Sequence, residues 1–65
     1  MQHIWEFLVV LKPTPEEVKP EPINRYFVTE SGRRSKATKK MYETLKKDYG
    51  INEQALENFL VRQIR

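Results

Sequence analysis

The stretch Gly32-Arg33-Arg34-Ser35-Lys36-Ala37-Thr38-Lys39-Lys40-Met41-Tyr42-Glu43-Thr44-Leu45-Lys46-Lys47-Asp48-Tyr49-Gly50 decides how the rest of the chain is read. Ala37, Met41, Leu45 and Tyr49 recur every fourth residue, with Thr38 and Tyr42 beside them, which is the spacing of one face of a helix. Ser35 is placed to accept from an orphan amide near Thr38, and Gly50 stands where a left-handed closing residue is needed. The spacing therefore predicts a helix over about 36–48. Away from the apolar stripe it shows Lys36, Lys39, Lys40 and Lys47 to solvent, with Glu43 among them, and Arg33 and Arg34 precede it.

Downstream, Asn52 reads as the cap of a second helix over about 53–64. Ala55, Leu56, Phe59, Leu60 and Ile64 form its apolar side, and Ile51 before the cap can pack on Leu56 as a hydrophobic staple. Glu53 in the first turn and Arg62 and Arg65 in the last suit the helix dipole. Leu45, Tyr49, Gly50, Ile51, Leu56 and Phe59 fall at spacings similar to those of a helix-turn-helix, although Lys46 stands where that motif has a small residue. The face such a recognition helix would present is Glu53, Gln54, Glu57 and Asn58, and two carboxylates there repel phosphate. The basic first helix is the better candidate for nucleic-acid contact.

Upstream, residues 3–12 read as a strand rich in aromatic and β-branched residues, ending at Pro13. Trp5, Phe7, Val9 and Leu11 share one side. Ile4, Leu8 and Val10 make the other side apolar too, interrupted by Glu6. A strand apolar on both sides is central in its sheet or covered on both faces. In so short a chain a second copy is the expected cover, so Ile4, Leu8 and Val10 are read as an interface and the chain as a homodimer. Residues 13–22 hold all four prolines, at 13, 15, 20 and 22, and form a stiff extended connection. A second strand follows over 23–30, antiparallel to the first because no helical crossover separates them. The fold expected is a single α+β domain over 1–65: a two-stranded antiparallel hairpin packed against two antiparallel helices, ββαα.

Composition narrows the function. A chain of 65 residues buries only about 60% of its unfolded surface, so its stability is marginal. It has no cysteine, which removes disulfides and thiolate chemistry and suits a reducing cytoplasm. One histidine, His3, cannot build a metal site, and neither a cofactor nor a metal is expected. Ser31 and Ser35 have no base but His3, and Glu6 and Glu30 read as solvated carboxylates, so an enzyme is not expected. The apolar run from Ile4 to Leu11 is far short of the ~20 residues that span a bilayer, so no membrane is expected.

The charge is uneven. Residues 1–32 hold three basic against five acidic side chains, and residues 33–65 hold nine against four, for a net charge of +3. That asymmetry points to a polyanion. The expected function is a small non-enzymatic nucleic-acid-binding or regulatory protein, with Arg33, Arg34, Lys36, Lys39, Lys40 and Lys47 contacting phosphates of DNA or RNA. The alternative is a regulator or inhibitor that binds a protein partner through the apolar hairpin and the proline loop.

Overall fold

Strand β1, His3–Leu11, runs through the middle of the molecule, and the remaining elements are arranged by what it needs on each side. The computed structural model describes all 65 residues. Strand β2, Ile23–Thr29, lies antiparallel on one edge of β1, with Trp5 opposite Phe27 and Val9 opposite Ile23. Strand β3, Leu56–Gln63, lies antiparallel on the other edge, with Phe7 opposite Val61 and Val9 opposite Phe59. The sheet order is β2-β1-β3.

This corrects the two-helix expectation. Residues 53–64 are not a helix: Glu53–Ala55 make one tight 3₁₀ turn and Leu56–Gln63 are a strand. The architecture is ββαβ, a three-stranded sheet with one helix, and there is neither a helix pair nor a helix-turn-helix. Two physical causes decide it. The inner edge of β1 carries a row of backbone donors and acceptors that must be paired. The apolar residues of 56–63 also fit a period of two, with Phe59 and Val61 inward and Leu60 outward. One bulge between Val10 and Leu11 breaks the β1–β3 register. It makes Glu57 the extra residue of β3 and turns Leu56 toward the core.

Helix α1 spans Arg34–Thr44 and continues through one wide π turn, Leu45–Tyr49. Its start is earlier than the sequence suggested. Arg33, not Ser35, is the extended residue before the first turn, and no side chain caps it. Gly50 ends it at φ 66°, with its N–H on the Leu45 carbonyl five residues back. The π turn rotates the last residues off the apolar stripe. Tyr49, expected inside, is 41% exposed and lies under Arg25, whose guanidinium is 5.7 Å from the ring centre. Arg25 also donates to Asp48 at 2.8 Å, tying β2 to the helix end.

Because β2 and β3 both run antiparallel to β1, they are parallel to each other. Parallel strands need a crossover, and α1 is that crossover, in the manner of a split βαβ unit. One helix covers one face. The core lies beneath it: Trp5, Phe7 and Val9 from β1, Phe27 from β2, Val61 from β3, and Ala37, Met41 and Leu45 from α1. Phe7 and Phe27 meet at 5.4 Å between centroids, and Tyr42 meets Phe59 edge-on at 5.7 Å. The only buried polar side chain, Thr29, accepts from the Trp5 indole N–H at 2.7 Å and donates to the Ser31 carbonyl at 2.7 Å. Thr29→Val leaves that indole N–H without a partner and is expected to cost about 1–3 kcal/mol. Trp5 is the sole tryptophan, so denaturant unfolding followed by its fluorescence measures the loss directly, and Thr29→Ser should recover most of it.

Candidate nucleic-acid interface

The helix that covers the core turns its other side to solvent. Residues spaced three and four apart share that side, which brings Lys36, Lys39, Lys40, Glu43 and Lys47 together, all exposed. The molecule has two ion pairs, Arg25–Asp48 and Arg62–Glu6, and no lysine takes part in either. The four lysines have neither a carboxylate within salt-bridge reach nor a side-chain hydrogen bond.

Two open grooves follow the lysines. The first, about 540 Å³, runs between the helix and the Thr29–Ser31 corner and is lined by Lys36, Lys39, Lys40, Glu30 and Glu43. The second, about 260 Å³, continues along the helix past Lys40, Glu43 and Lys47 to Asp48. Lys40 and Glu43 line both, so the two hollows flank the same stretch of the helix. The carboxylates of Glu30, Glu43 and Asp48 punctuate it and set where a polyanion can lie close.

The start of the helix adds to this field. Its first turn carries no acidic residue and no capping side chain, so the orphan N–H groups keep their positive end. Arg33 is exposed there, with its N–H on the Ser31 hydroxyl at 3.2 Å. Arg34 is placed differently from the other expected contacts. Its Nη1 donates to the Val61 carbonyl at 2.6 Å and fastens the helix start to β3. Arg34 is thus a structural tie as well as a surface charge, whereas Arg33, Lys36, Lys39, Lys40 and Lys47 are free. Ser31, read in the sequence only as part of a turn, lines the first groove and organises its corner. Its position just ahead of the basic run was the one available signal.

Ile4, Leu8 and Val10 lie on the opposite side of the molecule, on the face of β1 that no helix covers. The aromatic residues are mostly core: Trp5, Phe7 and Phe27 are buried. Tyr26 is 58% exposed, but it sits across from Glu6 on the uncovered face, with the lysines on the far side of the sheet. Glu6 accepts from Arg62 at 2.6 Å, and this hydrogen bond holds its carboxyl below the usual carboxylate range. No helix is long and apolar enough to cross a membrane. No protein-family model matches the chain, nor does any curated protein or solved structure, so its functional reading rests on geometry alone.

Proposed function

We propose that this chain is a small non-enzymatic nucleic-acid-binding or regulatory protein that holds phosphates along α1 with Arg33, Lys36, Lys39, Lys40 and Lys47. One observation carries the reading: these cations are unpaired and exposed along one helix, and two of them, Arg33 and Lys36, stand at its start, where the dipole disfavours them. Basic residues at a helix N-terminus cost a few tenths of a kcal/mol each, so the arrangement is better explained by an external anion than by stability. Lysine point charges and helix-start amides both suit phosphate oxygens. The absence of cysteine suits a reducing cytoplasm.

Binding is tested by fluorescence anisotropy with labelled single- and double-stranded DNA and RNA at several salt concentrations. For duplex DNA the log–log slope of affinity against salt is expected near −4, as four or five phosphate contacts require. Affinity that ignores salt, or no binding at low salt, overturns the proposal. Salt-insensitive capture of a protein would instead favour the second reading, a regulator acting through the hairpin and its proline loop. What supports that reading is the connection from Pro13 to Pro22, exposed except at Pro20.

A further inference from the structure

The sheet has two faces and the chain supplies one helix. On the face away from α1, strand alternation and register place Ile4, Leu8 and Val10 of β1 beside Tyr26 and Val28 of β2 and Leu60 of β3. Leu8 lies directly opposite Leu60, and Ile4 opposite Val28. Leu8 is 36% and Leu60 50% exposed, so this is apolar surface left in water. We propose that it is the contact surface for a second copy of this chain, the two sheets packing face to face.

Three observations select a second copy over another occupant. The first is charge. The chain carries +3, yet this face carries one carboxylate, Glu6, and one guanidinium, Arg62, already joined at 2.6 Å. Within the paired strands its net charge is zero, with Lys12 only at its margin, so its centre meets its own image without repulsion and offers little field to draw in an acidic or basic partner.

The second is the placement of the remaining charge. The lysines are on the helix side. With sheets about 10 Å apart and each helix about 10 Å behind its sheet, the two basic helices of such a dimer lie roughly 30 Å apart. That is nearly four Debye lengths of about 8 Å at physiological salt, so their repulsion is screened.

The third is area. A folded monomer of 7.8 kDa is expected to expose about 4,400 Å², and this one exposes 5049 Å². The surplus is several hundred Å², on the scale of the ~800 Å² that each partner gives to a standard interface. The exposed proline loop and the open sheet face both belong to that surface. Face-to-face sheets stack with their strands about 30° apart, which lets β1 of each copy lie over the centre of the other.

The test is sedimentation equilibrium from low micromolar to millimolar concentration. The wild-type mass is expected to rise from 7.8 kDa toward twice that value. A wild-type protein that stays at the monomer mass throughout overturns the proposal. Leu8→Asp sets a carboxylate in the middle of the contact and should weaken dimerisation at least about a hundredfold. Its far-ultraviolet circular dichroism and Trp5 fluorescence should stay unchanged. A folded Leu8→Asp protein that still dimerises as the wild type does also overturns it.

A second pair of variants keeps the test independent of Leu8. Glu6→Arg gives the face two guanidinium groups, and Arg62→Glu gives it two carboxylates. Each alone should be monomeric, and an equimolar mixture should sediment as a heterodimer. Failure of the mixture to associate overturns the face-to-face arrangement. The triple lysine variant described below should dimerise like the wild type, which separates this interface from the phosphate-binding surface.

Discussion

Replacing Lys36, Lys39 and Lys40 together with glutamate is expected to remove nucleic-acid binding while leaving the protein folded, with its stability changed by no more than about 1 kcal/mol. The fold is spared for reasons visible in the helix. Each lysine is exposed and has no ion-pair partner, so no tertiary contact is lost. The like-charge spacings 36/39 and 36/40 are kept with the opposite sign, and glutamates at 39 and 40 repel Glu43 at four and three residues. Lys36 is the third residue of the helix, where glutamate suits the dipole, and the first turn has no acid now. The dipole gain and the new repulsions are each a few tenths of a kcal/mol and offset one another.

For binding, three phosphate contacts become three repulsions, and the affinity should fall at least about a hundredfold at moderate salt. Neutral replacements separate loss of attraction from gain of repulsion. The Lys→Gln triple variant should flatten the salt slope by about three, one for each phosphate contact removed. Thermal melts and anisotropy on the same samples check both halves. Binding that survives the triple reversal would place the phosphate contact elsewhere.

The second large effect distinguishes neighbours in β3. Val61→Asp should unfold the domain, whereas Leu60→Asp should leave it folded. Val61 is fully buried opposite Phe7, beneath Met41 and Leu45, and a carboxylate there has no partner. An unpaired buried charge costs about 3–5 kcal/mol, which a marginal 65-residue domain does not withstand. Leu60 points to the uncovered face and is half exposed. At concentrations where the chain is monomeric, its replacement should cost no more than about 1 kcal/mol. Had residues 53–64 been helical, the order would be reversed, because the helical stripe buries Leu60 and exposes Val61. Circular dichroism of the two variants decides between the alternatives.

The same pair of residues explains what the sequence showed and what it hid. The first helix was legible because several local signals agreed: a four-residue apolar repeat, a basic outer face and a closing glycine. Strands β1 and β2 were legible from alternation, β-branched residues and the proline stop. The segment 56–63 carries both periods at once. Leu56, Phe59 and Leu60 satisfy a helix, and Phe59, Val61 and the outward Leu60 satisfy a strand. Nothing local arbitrates, and the decision is made by the unpaired edge of β1, some fifty residues away. The doubly apolar β1 did signal a central position. Its lateral neighbour came from within the chain, while its outer face stayed bare. The ends of the helix were misplaced for similar reasons. Arg34 is drawn into the first turn by the Val61 carbonyl, and Tyr49 is rotated outward by a π turn that leaves no trace in composition. The lysine side needed only the helix period, and the Ser31 corner that completes its groove required the topology.

The pairing of the first strand with the last has a kinetic side. Trp5 faces Gln63 across the sheet, and Ile4 hydrogen-bonds to Arg65. The β1–β2 hairpin needs only nearby chain to form, but it is marginal alone in water. The sheet closes only when nearly the whole sequence has looped back, a contact of long sequence separation whose entropy must be met before its reward arrives. Such a chain folds more slowly than a helical bundle of equal length. On a ribosome it would remain a loose hairpin, with one backbone edge of β1 unpaired and Phe7 and Val9 incompletely covered, until β3 had cleared the exit tunnel.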